Sequence, residues 1–154
     1  MPRSKVKTAV LWFEPLIFIY FGIFLGSRIW AFFDRESYAA FFLGLLLNKS
    51  LLYFVLMALM FLLCLAGLSV FFLQYKQRSW WRWLYFFGGA YVLFDCTAIL
   101  CGFGFWQQLL FWMFDTANPY WNLIWGFFTL LGLLALLLGF YLLHLLLPPK
   151  KMFS

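Results

Sequence analysis

From Leu51 to Leu73 the chain runs for 23 residues without a charged side chain. As a helix rising about 1.5 Å per residue, such a run reaches across the roughly 30 Å hydrocarbon core of a bilayer. Helical backbone also satisfies its own polar groups, which a lipid environment demands. Composition extends the argument to the whole chain. Of 154 residues, 67% are hydrophobic and 10% charged, against about 45–50% and 25% in soluble domains. Too few polar groups are present to coat a soluble surface. A soluble globular domain, a disordered tail and a nucleic-acid module are excluded, and an integral membrane protein is expected.

Three further apolar stretches are long enough to span: residues 16–33, 83–105 and 123–147. The expected fold is a single all-α membrane domain over residues 1–154, a bundle of four transmembrane helices. Pro15 falls near the first turn of the first span, where proline is tolerated, and Pro148-Pro149 stops the last. The first stretch is too long for the apolar core of a usual signal peptide, and no small-residue cleavage site follows it, so it is read as an uncleaved span. Two shorter apolar runs, residues 38–47 and 105–114, would each cover about 15 Å, half of what a crossing needs. Both are expected in the outer interface. The second carries Gln107 and Gln108 and suits either an interfacial helix or a ligand lid.

The net charge of +6 is unevenly placed. Four spans put residues 1–11, 74–82 and 148–154 on one side. These hold Arg3, Lys5, Lys7, Lys76, Arg78, Arg82, Lys150 and Lys151, eight of the eleven basic residues, whereas the opposite loops hold Arg35 and Lys49. The excess points to cytoplasmic N- and C-termini and to contact with anionic lipid. Tryptophans cluster at both boundaries, Trp80, Trp81 and Trp83 at one and Trp112, Trp121 and Trp125 at the other, as interfacial belts do. Small size and sharp charge asymmetry favour a bacterial inner membrane.

Little in the sequence suggests catalysis. His144 is the one histidine, too few for a bis-histidine haem. No clustered ligands suggest a metal site, and HExxH, GxSxG and Walker patterns are missing. Cys64, Cys96 and Cys101 form no CxxC pair and read as small apolar filler. No cofactor is expected, and the chain is not expected to be an enzyme.

What remains are polar groups where polar groups are costly: Glu14, Arg28, Asp95 and His144. Glu14 and His144 sit near the cytoplasmic ends of their spans, suit the helix dipoles there and should partly reach water. Asp95 lies near the middle of its span on a face with Gly88, Tyr91, Ala98 and Gly102. It reads either as a structural carboxylate or as a proton- or cation-binding group. On a common depth scale Arg28 and Asp95 fall within about 4 Å of each other, which predicts an ion pair. Gly22 and Gly26 form a GxxxG on the first span, and Gly132 and Gly139 with Thr129 and Ala135 form a small-residue stripe on the last. With Gly88 and Gly102 these glycines are expected to let helices approach closely, within the bundle rather than between copies.

Three functions fit these features. The leading expectation is a non-catalytic subunit or accessory protein of a larger membrane assembly, with lipid and other membrane subunits, or a second copy, as partners and no role for nucleic acid. The second is a small transporter or channel using Asp95. The third is an immunity protein against a pore-forming toxin.

Overall fold

A computed structural model describes residues 10–74 and 79–147. All regular structure among them is helical. Helix α1 covers Glu14–Gly26, a 3₁₀ turn Ser27–Ile29 follows, and α2 covers Trp30–Phe33. Helices α3 (Arg35–Asn48), α4 (Leu51–Leu73), α5 (Arg82–Cys101), α6 (Gly104–Met113) and α7 (Trp121–Leu146) complete the chain. Four helical stretches are long and apolar enough to cross a membrane: Glu14–Phe33, Leu51–Leu73, Arg82–Cys101 and Trp121–Leu146. The basic residues at positions 3, 5, 7, 76, 78, 150 and 151 lie outside the described residues.

Local chemistry sets the boundaries. Pro15 lies at the start of α1, where its missing N–H leaves no helical bond unmade. Asp34 caps α3 by accepting the Ser37 N–H at 3.0 Å, and Lys49 ends it in the left-handed region at φ 42°. The Ser50 hydroxyl faces the Tyr53 N–H at 3.4 Å at the start of α4. The third span is shorter than the sequence suggested, ending at Cys101 rather than 105. Gly102 turns left-handed there at φ 68°, and the Phe103 N–H donates back to the Ala98 carbonyl at 3.0 Å. Residues beyond it belong to α6. The fourth span starts two residues earlier than expected, at Trp121 instead of 123, because Asn118 organises the turn before it. Its side chain donates to the Trp112 carbonyl and accepts the Tyr120 N–H, each at 2.9 Å. At 14 and 10 residues, α3 and α6 are too short to cross.

The four long helices pack as two pairs. In the first pair α1 lies against α7 at backbone distance. A Cβ on Gly22 would sit 2.7 Å from the Leu136 nitrogen, one on Gly139 would sit 2.7 Å from Ile19 Cγ1, and one on Gly132 would strike the backbone of Gly26. The GxxxG of the first span and the stripe of the last thus meet each other, with Gly26 serving as the surface that Gly132 abuts. In the second pair, α4 and α5 approach through Gly67 under the Tyr85 ring and Gly89 against Leu68. Between the pairs the helix backbones approach along a narrow strip between α1 and α4, and side chains also bridge α1 to α5, where the Phe18 ring stacks on that of Tyr85 at 5.0 Å. Two buried clusters hold the ends. Ile17, Phe18, Val70, Phe71, Trp81, Tyr85 and Leu142 fill the end where α1 begins. Ala31, Tyr38, Ala39, Phe114, Trp121 and Trp125 fill the other.

Candidate functional site

The two remaining glycines expected in helix packing serve otherwise. Gly102 ends α5, and a Cβ on Gly88 would meet nothing within 4 Å. Gly88 lies instead on the wall of a cleft between the two helix pairs.

That cleft has an apolar part of about 460 Å³, walled by residues such as Phe18, Leu63, Tyr85, Gly88 and Leu134. Its volume falls in the range of about 300–1,000 Å³ typical of small-molecule sites. Phe21 and Val92 also wall a second cavity of about 140 Å³, nearer α6, and this one, though mostly apolar, holds two charged side chains. Arg28, Asp95, Trp106 and Trp125 line it. The two cavities therefore adjoin, an apolar trough ending in a charged chamber.

Inside the chamber, Arg28 and Asp95 do not form the expected pair. No carboxylate among the described residues lies within ion-pair distance of the Arg28 guanidinium. Segments that a depth argument over the spans leaves out capture the two charges separately. Arg28 Nη1 donates to the Tyr38 hydroxyl of α3 at 3.1 Å, and its guanidinium carbon lies 4.6 Å from the Phe24 ring centre and 4.3 Å from that of Phe42. Stacking on aromatic faces suits a weakly hydrated guanidinium. Tyr38 is fully buried, and burial pushes its phenol up to about 12 against the opposing pull of Arg28, so Arg28 faces a neutral hydroxyl. Asp95 accepts a hydrogen bond from Trp106 Nε1 of α6 at 2.6 Å. Trp125, 3% exposed, carries a buried Nε1–H that finds no acceptor among the described residues.

Glu14 also departs from expectation. Instead of partly reaching water it is fully buried, because Arg82, assigned from sequence to a basic loop, turns in to meet it. Arg82 Nε donates to Glu14 Oε1 at 3.0 Å and Nη2 to Oε2 at 3.4 Å, while the Leu11 N–H donates to Oε2 at 2.7 Å. The signal was present in the sequence. Glu14 and Arg82 stand at the first residues of the first and third spans, which run the same way, so they share a depth. His144 is exposed on the last turn of α7. Gln107 and Gln108 lie on α6, and neither lines the chamber. Among the described residues no cluster of His, Cys, Asp and Glu could hold a metal ion.

No family model, no curated protein and no solved structure matches the chain.

Proposed function

We propose that this is a non-catalytic accessory subunit of a larger membrane assembly, with both termini in the cytoplasm. The observation that carries the reading is the incomplete closure of the bundle. Each helix pair is tightly packed within itself, yet the pairs leave a trough of about 460 Å³ between them. In lipid no solvent drives helices together, so association relies on shape and polar contacts. A bundle built with an open seam suits engagement of another membrane component better than isolation. The eight-to-two charge asymmetry supports the orientation, which places α3 and α6 in the outer interface and the Glu14–Arg82 pair at the cytoplasmic end. A bacterial inner membrane fits the same asymmetry.

Blue-native electrophoresis after gentle extraction tests the reading. The protein should migrate in a complex well above its own mass, and recovery only as a free, functional monomer would overturn it. Reporter fusions at residues 78 and 118 should give opposite signals, and equal signals would overturn the orientation.

The second reading, transport through Asp95, draws on the chamber that Asp95 shares with Arg28. A transport path needs polar groups on both sides of such a site. Beyond Phe21 and Val92 the cleft is almost wholly apolar, which favours a binding role over conduction.

A further inference from the structure

The chamber holds a cation and an anion that face one cavity without touching. Each is expensive at this depth, and a direct pair between them would be the simplest compensation. The protein instead keeps them apart, Arg28 just after α1 and Asp95 on α5. The donor that looks for an acceptor is Arg28, with most of its five N–H groups uncommitted to Tyr38. The acceptor that looks for a donor is Asp95, whose only hydrogen bond among the described residues comes from Trp106. What fits between them carries both an anionic, oxygen-rich group and a cationic N–H donor. The adjoining trough requires that the same molecule carry an apolar chain.

We infer that the cleft between the α1/α7 and α4/α5 pairs binds a phospholipid with a zwitterionic, ammonium-bearing headgroup of the phosphoethanolamine type. The phosphate faces Arg28, the ammonium faces Asp95, and one acyl chain lies in the trough past Phe21 and Val92 toward Tyr85 and Gly88. Size agrees. One water needs about 10–15 Å³ by this measure of cavity volume, so the chamber, at about 140 Å³, admits a group of several heavy atoms. Charge selects among lipids. A phosphoglycerol head gives Asp95 no cation. A choline head is cationic but has no N–H to donate.

The inference takes the open seam of the proposed accessory subunit as its site, and its test is separable from that reading. The purified full-length protein is offered equal amounts of phosphatidylethanolamine, phosphatidylglycerol and phosphatidylcholine of identical chains, and retained lipid is counted by native mass spectrometry. Phosphatidylethanolamine should be retained about tenfold over either competitor, a factor worth roughly 1.4 kcal/mol. Asp95→Asn should bring the ethanolamine-to-choline ratio toward one, and Arg28→Gln should lower retention of all three. Gly88→Leu fills the trough from a position where a Cβ meets nothing, so it leaves helix packing intact. It should cut phosphatidylethanolamine retention several-fold at unchanged thermal stability. Equal retention of the three lipids by the wild-type protein overturns the inference, and so does undiminished retention by Gly88→Leu. Lipid selectivity in a protein that migrates as a free monomer would overturn the accessory-subunit reading alone. A large complex without selectivity would overturn the lipid site alone.

Discussion

The two ends of the bundle are given the same charges and treat them in opposite ways. At one end Glu14 of α1 meets Arg82 of α5 at 3.0 Å, with side chains 0% and 3% exposed. At the other, Arg28 follows α1 and Asp95 belongs to α5, yet they remain apart. Both couples thus draw one residue from each helix pair. The difference lies in what surrounds them. Around Glu14 the neighbours are mostly apolar, and the Leu11 N–H is a further donor to its carboxylate, so a direct pair is the available compensation. Around Arg28 and Asp95 the short helices α3 and α6 supply Tyr38, Phe42 and Trp106, which engage each charge separately and only in part. A charge couple joins two helix pairs only where no third element intervenes. Where α3 and α6 intervene, the pairs stay apart and a chamber results.

The strongest way to break this comparison is at the joined end. Glu14→Ala or Arg82→Ala each leaves a buried charge without its partner, which costs about 3–5 kcal/mol. Thermal unfolding in detergent should show both variants severely destabilised. The double variant Glu14→Leu, Arg82→Met should recover much of the loss, since an apolar pair of similar volume removes the stranded charge. Additive losses would mean that the two residues act independently, and the contrast between the ends would disappear.

The packing within the pairs offers a second contrast. Gly132→Ala pushes a methyl into the Gly26 backbone and should destabilise by about 1–3 kcal/mol. Gly88→Ala, at the open cleft, should change stability by less than about 0.5 kcal/mol. Equal effects in the same melting assay would show that the cleft is closed in the membrane.

At the separated end, Trp106→Phe removes the donor to Asp95. A hydrogen bond to a charged group contributes about 1.5–3 kcal/mol, and because Asp95 is only half-buried the loss should fall at the low end. A double-mutant cycle between Arg28 and Asp95 should then return a coupling below about 0.5 kcal/mol, the scale of independent sites. A coupling as large as that between Glu14 and Arg82 would show that the two charges pair directly after all.

Much of this architecture could be read from the sequence, because lipid leaves few options. Uninterrupted apolar length located four long helices, although Gly102 and Asn118 moved their ends by two to four residues through turn geometry that hydropathy does not register. Depth placed Arg28 and Asp95 at one level. It could not say which residues of α3 and α6 fold back to intercept them, since that depends on tertiary packing rather than on position along a span. Glu14 shows the opposite error. Reading Arg82 as loop because it preceded the apolar run left its partner looking like an interfacial residue. The Trp125 donor carries no sequence signal, because tryptophan near a span end reads as part of an aromatic belt.

The smallest effect concerns how the separated end is held. Asp34 caps α3, and α3 brings Tyr38 to Arg28. The hydrogen bonds from Ser37 hold the exposed Asp34 carboxyl below its ordinary value. The sign follows from that depression. Folding favours the ionised form, so the contribution of the cap is fully present above the unfolded carboxylate pKa, near pH 4, and is lost as pH falls through the lower folded value. The Ser37 amide proton, followed by NMR in detergent, should titrate with a midpoint below that of Asp34 in an unfolded peptide of the same sequence. Asp34→Asn keeps a capping oxygen without a titrating charge, so it should abolish this step while leaving α3 formed. A midpoint equal to the peptide's would show that Asp34 does not cap α3, and the route by which α3 brings the Tyr38 hydroxyl to Arg28 would have to lie in the aromatic packing of Tyr38 on Trp30, Phe114, Trp121 and Trp125.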